Sequence, residues 1–517
     1  MRFMRKKFPI GIQSFSVIRE ENYYYVDKTK YIVKLLEDGK YFFLSRPRRF
    51  GKSLFIDTMK QAFLGKKKLF SGLYLESNWE WDKKYPVIHI SFGSGILKTI
   101  EELEETQRII LTNHANEYGI ELNNRFIKDI FAELIIKLHK KTKQKVVVLV
   151  DEYDKPILDN IENKKTAKEI IDKLKGFYSV LKDTDEHLKM VFITGVSKFS
   201  KVSLFSGLNN LKDITLHPKY ATICGYTQEE LEKTFMEPLK LYDKYLLKRW
   251  YDGYNFFGEN VYNPFDILLF LDSGIFRPYW FETGTPTFLI KLMLDRNFYL
   301  PKLENLKAGD EILDSFDIDN IEPETLLFQT GYLTPKRIEK KEYFTIYHLT
   351  YPNLEVKSAL LRHIITYLTG SISKKDKILF DMYDILSEAK IEKLKELFFS
   401  FFASIPNEWY RKSEIQNYEG FYASIFYSYF AALGLEIKTE ESTNKGKLDM
   451  AVFFKDKCFI FEFKVVNHFK ENSKAIKQIK EKKYYNKYLG KFKEIYMIGV
   501  VFSKKEKNIV GFEWERV

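Results

Sequence analysis

Two groups of residues in this 517-residue chain have the types and spacing needed to handle phosphate. The first is Ser45-Arg46-Pro47-Arg48-Arg49-Phe50-Gly51-Lys52-Ser53, set between an apolar run and a helical pattern. A strand, a tight loop with inward N–H groups and a helix N-terminus together cradle an anion. Lys52 would reach the β- and γ-phosphates of a nucleotide, and the Ser53 hydroxyl would ligate magnesium. Gly51 provides the turn that admits the phosphate. Arg48 and Arg49 stand inside the loop and would contact phosphates or an acidic surface elsewhere. Arg46 occupies the usual position of a first glycine, and packing on the sheet edge is the simplest use for it. Downstream, the apolar run Val146–Val150 ends in Asp151-Glu152-Tyr153-Asp154. Asp151 would hold the magnesium through water, and Glu152 would polarise an attacking water. A third apolar run ends at Thr194-Gly195-Val196-Ser197, where Thr194 or Ser197 would sense a γ-phosphate.

The second group lies near the C-terminus. Gly446-Lys447-Leu448-Asp449 is followed by Phe461-Glu462-Phe463-Lys464. The interval suits two adjacent strands joined by a turn at Lys455-Asp456-Lys457. Alternation along a strand puts Glu462 and Lys464 on one face and Phe461 and Phe463 on the other. Hard carboxylate oxygens of this kind hold Mg²⁺ or Mn²⁺, which activates water and offsets charge in phosphodiester hydrolysis. Lys464 would stabilise developing charge. Glu419, at the start of a helical stretch, would add a carboxylate to the metal site. Gln478, on a later helix, would orient water or a phosphate. A Glu-x-Lys pair alone is common on surface hairpins; the ordered set is rarer.

Positioning these groups requires particular elements. Strand candidates Tyr41–Leu44, Val87–Phe92, Val146–Val150 and Met190–Thr194 alternate with helical stretches such as Leu54–Phe63 and Phe126–Leu138. This pattern predicts a parallel sheet with helices on both faces, with the phosphate-handling strand ends along one edge. Residues 1–220 form this expected core. Residues 221–350 read as a mostly helical lid, opened by a capping box at Thr227-Gln228-Glu229-Glu230. Leu326–Pro335 and Glu342–Leu349 look like the strand or turn pieces of a winged-helix hairpin. Residues 351–410 read as a helical linker. Residues 411–517 read as a compact α/β module, with a helix at Gly420–Leu433, strands at Leu448–Phe454, Phe459–Lys464 and Glu494–Val501, and a helix at Ser473–Tyr488.

Lys and Arg total 83 against 71 acidic residues, a net charge of +12. That excess permits a nucleic-acid partner without requiring one. Lysines and tyrosines interleave from Lys470 to Tyr488, a stretch that would track a phosphate backbone or form a solvated helix face. Two separated cysteines, Cys224 and Cys458, exclude a disulfide framework and fit a reducing compartment. No segment approaches the ~20 apolar residues that cross a bilayer, and no leader pattern follows Met1, so a cytoplasmic location without membrane contact is expected. The amphipathic stretch Ile391–Phe402 suggests an interdomain or homo-oligomer contact.

Several segments carry a more specific likeness. Tyr25-Val26-Asp27-Lys28-Thr29, the Ser45–Leu54 loop, Val150–Pro156, Ile193-Thr194-Gly195-Val196-Ser197-Lys198-Phe199 and Tyr251-Asp252-Gly253-Tyr254 resemble the prokaryotic AAA-ATPase-like family. Trp280–Gly284 and Phe328-Gln329-Thr330-Gly331-Tyr332-Leu333 resemble it too. In that family an arginine-rich loop without the first glycine is usual. The order Glu419, Asp449, Glu462-x-Lys464, Gln478 resembles the PD-(D/E)XK nuclease superfamily, with Lys447 where arginine is usual. The two resemblances imply an ATP-binding core, a helical or winged-helix lid and a restriction-endonuclease-like C-terminal domain that uses Mg²⁺ or Mn²⁺ on DNA or RNA. Cleavage gated by ATP is one implied function. The other is a nucleotide-dependent switch whose nuclease-like domain binds nucleic acid or a partner without cutting.

Overall fold

The computed structural model describes residues 6–198, 204–205, 208, 210–280, 287–296, 298–310, 319, 321–405, 419–443, 446–467 and 474–517. Phe199, Phe281, Glu282, Thr283, Gly284, His468 and Lys470 lie outside the described residues. The chain divides into two compact units. One comprises Met1–Trp280 and Lys307–Asn353, the other Phe281–Leu306 and Leu354–Val517.

The first unit is built on five parallel strands: β1 (Tyr41–Ser45), β2 (Val87–Ser91), β3 (Val146–Asp151), β4 (Leu188–Gly195) and the short β5 (Lys212–Asp213), in the order β2-β3-β4-β1-β5. Every residue of β1 and β3 is buried. Near-continuous apolar strands suit a sheet covered on both faces. The covering helices include α1 (Lys52–Phe63), α2 (Ile100–Glu117), α3 (Ile127–Thr142) and α4 (Lys164–Asp183). Thr99 caps α2 with a reciprocal capping box to Glu102. Because β1, β3 and β4 are parallel, Ser45, Asp151 and Gly195 finish on the same edge.

After the sheet come short helices, among them α5 (Gln228–Thr234) and α6 (Pro264–Ser273). The capping box read at Thr227 is present, with Thr227 and Glu230 each accepting from the other's backbone N–H. Residues 326–329, the first part of the Leu326–Pro335 stretch expected as strand or turn, belong instead to the helix α7 (Pro323–Gln329). Pro323 at its first turn favours helix, which outweighs the apolar Leu326-Leu327-Phe328 run. Then follows a small sheet in the order β6-β8-β7, made of β6 (Leu306–Ala308), β7 (Thr334–Lys340) and β8 (Thr345–Thr350).

The second unit contains α8 (Leu354–Thr369), α9 (Ile372–Glu388), α10 (Ile391–Ser404) and α11 (Glu419–Ala432), then a mixed sheet. Its strands are β9 (Glu436–Thr443), β10 (Gly446–Phe454), β11 (Lys457–Val466), β12 (Glu494–Ser503) and β13 (Asn508–Arg516), in the order β13-β12-β11-β10-β9. The β11–β12 pair is parallel and the others are antiparallel. Helix α12 (Lys474–Lys482) provides the crossover from β11 to β12. It stops earlier than Tyr488 because Lys483 adopts a left-handed conformation at φ 50°. Of the two contacts expected for the amphipathic face of α10, the structure shows the one within the chain. Phe398, Phe401 and Phe402 are buried against Tyr422, Phe426 and Tyr429 of α11, inside the unit. Among the described residues, no helix is long and apolar enough to cross a membrane.

Phe426 is the hub of this core. It stacks on Phe398 at 3.6 Å between ring centroids and packs on Phe461 and Phe463 of β11. Phe426→Ala is expected to cost the second unit about 3–5 kcal/mol, since the aromatic neighbours can only partly collapse into the space. Urea unfolding followed by a probe in this unit checks it; an unchanged midpoint contradicts the packing described.

Candidate functional sites

The loop after β1 turns on Gly51, which caps α1 in the left-handed region at φ 87°. Arg46 is buried, as expected of a packing role. Its guanidinium donates to the carbonyls of Ser45, Thr215 and Tyr220 and lies 3.8 Å over the Phe256 ring. Lys52 is buried, and its ammonium donates to the carbonyls of Arg46 and Pro47, each at 2.9 Å. Burial pulls its pKa down, while the charge of Asp151 works in the opposite direction. Ser53 follows Lys52 and is partly accessible. Arg48 and Arg49 are exposed, and the Arg49 guanidinium sits 4.5 Å over Phe265.

The other strand ends are tied to this loop. Arg46 N–H donates to Gly195 O, and Tyr153 N–H donates to Thr194 O. Asp151 is buried and accepts from the Thr194 hydroxyl at 2.7 Å. Glu152 takes a left-handed conformation at φ 54°. Burial, and then the neighbouring Asp151, push its pKa up. The structure thus gathers Lys52, Asp151, Glu152 and Thr194. It holds Ser197 elsewhere: the Ser197 hydroxyl and N–H both donate to Asp154. Asp154, quoted in the sequence without a role, is a buried carboxylate that also accepts from Val196 N–H, so it fixes the exit of β4. Gly195 is obligatory there, because a Cβ would stand 2.5 Å from the Tyr153 ring.

In the second unit, the register pairs Met450 with Phe461, which sets Asp449 beside Glu462 on adjoining strands. Phe461 and Phe463 turn to α11, whereas Glu462 and Lys464 take the face toward α12. Asp449 accepts from Phe463 N–H at 2.8 Å. One oxygen of Glu462 accepts from Lys464 Nζ at 2.9 Å and from the Gln478 amide. Its other oxygen, Oε2, is buried with no hydrogen-bond partner. Burial, and then the charge of Asp449, push Glu462 up to about 7. Burial also raises Asp449 and Glu419. Glu419 stands within electrostatic reach of Asp449 and Lys464 and accepts from Val465 N–H. Tyr484, one of the tyrosines interleaved with the lysines, donates to Lys447 O at 2.8 Å and lies beside Gln478.

These buried, mutually repelling carboxylates fit a hard divalent ion. Among the described residues, no three His, Cys, Asp or Glu side chains gather tightly enough to enclose one. Mg²⁺ commonly binds through one or two carboxylates while keeping several waters, so the Asp449–Glu462 pair and the unpartnered oxygen are a sufficient donor set. The lysines beyond the site are less free than the sequence implied: Lys477 pairs with Glu481, Lys480 with Glu515, and Lys487 with Glu441.

Comparison with known proteins agrees with this division. The family model described as predicted AAA-ATPase matches residues 9–205, and that described as PD-(D/E)XK nuclease superfamily matches residues 417–512. The chain belongs to the AAA-ATPase-like family with a C-terminal PD-(D/E)XK domain. A family relative from Azotobacter chroococcum mcd 1, described as an uncharacterized protein in vnfD 5'region, is 46% identical over 509 residues, covering 98% of each chain.

The pH response of the PD-(D/E)XK site follows from the raised Glu462. Its pKa rises from 4.5 to about 7 on folding. Between those values the native state keeps a proton that the unfolded chain has lost, so stability falls as pH rises through the window and levels above it. Asp449 and Glu419 add to the fall with the same sign. Glu462→Gln cannot ionise. In EDTA the variant should melt above wild type at pH 8 but not at pH 4; equal melting at pH 8 would contradict the buried-charge assignment.

Proposed function

We propose that this family member binds and hydrolyses ATP in its first unit, cleaves phosphodiester bonds of nucleic acid in its second, and uses nucleotide state to control the cleavage. The observation that carries the nuclease reading is the Asp449–Glu462–Lys464 cluster on the adjoining strands β10 and β11, with its buried, unpartnered Glu462 oxygen.

Asp449 and Glu462 would hold Mg²⁺ or Mn²⁺, with Glu419 as an outer carboxylate. When bound, the ion supplies an activated water and offsets charge on the phosphate. Lys464 carries a positive charge beside that position, its pKa raised by Glu462 despite burial, and stabilises charge building on the phosphate oxygens. Gln478 orients Glu462 and the attacking water. In the first unit Lys52 and the loop N–H groups bind phosphate, Ser53 and Asp151 would hold Mg²⁺, and Glu152 orients the water for hydrolysis. Thr194 bridges the site through Asp151. Arg48 and Arg49 are candidates for outer phosphate contacts, and Ser197 acts through Asp154.

A second reading has its own support. Lys464 and Gln478 already occupy one oxygen of Glu462, and Phe463 N–H one of Asp449, which suits a nuclease-like domain that binds nucleic acid or a partner without cutting, with ATP as a conformational ligand.

The two separate in one assay: Mg²⁺- and Mn²⁺-dependent cleavage of circular single- and double-stranded DNA and of RNA, with and without ATP. Asp449→Ala should abolish cutting. Lys464→Ala should slow it by about 10²–10³-fold, as expected for loss of one preorganised charge-stabilising group. Lys52→Ala should remove ATP binding and with it the response to ATP. Intact ATP binding with no cleavage of any substrate would select the non-cutting switch.

A further inference from the structure

Three segments singled out in the sequence take no part in either site as described: Tyr251-Asp252-Gly253-Tyr254, Trp280, and Phe328-Gln329-Thr330-Gly331-Tyr332-Leu333. In the first unit they meet on the outer side of the phosphate loop. Trp280 Nε1 donates to Arg48 O at 3.2 Å, and its ring packs on Tyr332. Tyr254 meets Phe50 edge to face at 4.7 Å between centroids. Gly331 has φ +91°, and a Cβ there would stand 2.5 Å from Pro47 Cγ. Gln329 Oε1 accepts from Lys198 N–H at 2.7 Å, one residue beyond Ser197 at the exit of β4.

The same strip of loop is held from the inner side by Lys52, whose ammonium donates to the carbonyls of Arg46 and Pro47. A bound phosphate recruits that ammonium. Residues Arg46–Arg48 therefore lie between the cation that phosphate recruits and a surface built from Trp280, Gln329 and Gly331. A rearrangement at Lys52 reaches that surface through Pro47 and Arg48 with no intervening side chain.

We propose that Trp280, Gln329 and Gly331 are positioning residues that sense nucleotide in the phosphate loop and transmit its occupancy to the 323–334 segment. The proposal rests on the ATP reading of the first unit. Coupling of this kind is reciprocal, so disturbing the outer surface changes nucleotide affinity.

Hydrogen exchange on the full chain, with and without Mg-ATP, tests transmission, and ATP affinity of variants tests reciprocity. ATP should alter exchange both around Lys52 and across 326–334, and the second change should shrink in Trp280→Phe, which keeps a ring and loses the N–H. Trp280→Phe should weaken ATP binding by about three- to tenfold, the worth of one hydrogen bond. Gly331→Ala, which must displace Pro47, should weaken it further. A response around Lys52 with none at 326–334, or wild-type affinity in both variants, overturns the proposal and leaves ATP binding standing. No ATP binding and no exchange response anywhere in the wild type overturns the ATP reading and the proposal together.

Discussion

Taking a carboxylate out of water costs several kcal/mol unless hydrogen bonds or a cation compensate it. The first unit places buried carboxylates at and just beyond the end of β3, the second places them within β10 and β11, and much of the surrounding structure answers to that charge. In the first unit, Asp154 is compensated by two N–H groups and a hydroxyl, and Asp151 by Thr194 and the field of Lys52. These bonds tie β3 to β4. In the second unit compensation is incomplete. Lys464 and Gln478 share one oxygen of Glu462, Phe463 N–H serves Asp449, and Glu462 Oε2 is left without a partner. Such a deficit is what a divalent cation removes.

A similar contrast separates Asp154 from Asp151. Asp154 and Asp151 lie three residues apart in one motif, and residue type alone does not distinguish them. Asp154 turns back under β4, where Gly195 makes room, whereas Asp151 faces the Lys52 side with Thr194. Arg46 shows the complementary case. A guanidinium replaces the usual glycine because it can satisfy several carbonyls at once from a buried position over Phe256.

Much of this was legible in the sequence where a strong apolar run ended in chemistry. The runs at Tyr41, Val146 and Met190 became β1, β3 and β4, because β-branched and aromatic residues buried on both faces leave little alternative. The Glu462-x-Lys464 alternation fixed which face carries charge and which carries phenylalanine. Legibility failed where an element depends on its neighbours. Strand β5 is only two residues long and exists through its pairing with β1. The apolar face of α10 read as an interdomain or oligomer contact, and nothing local indicated that α11 is what covers it. The lysines around α12 read as a phosphate track or a solvated face, and the acidic partners that engage them came from β9 and β13 as well as from α12 itself. The tie of Tyr484 to Lys447 O gave no signal because it spans 37 positions.

The central claim is that the buried charge of the second unit is compensated by a divalent cation held by Asp449 and Glu462. Titrating Mn²⁺ into nucleotide-free full-length protein at pH 8, with free Mn²⁺ followed by electron paramagnetic resonance, tests it most directly. The account predicts one site in the wild type that is lost in Asp449→Asn while the Lys52→Ala protein retains it. Equal binding by wild type and Asp449→Asn, or none by either, would contradict it.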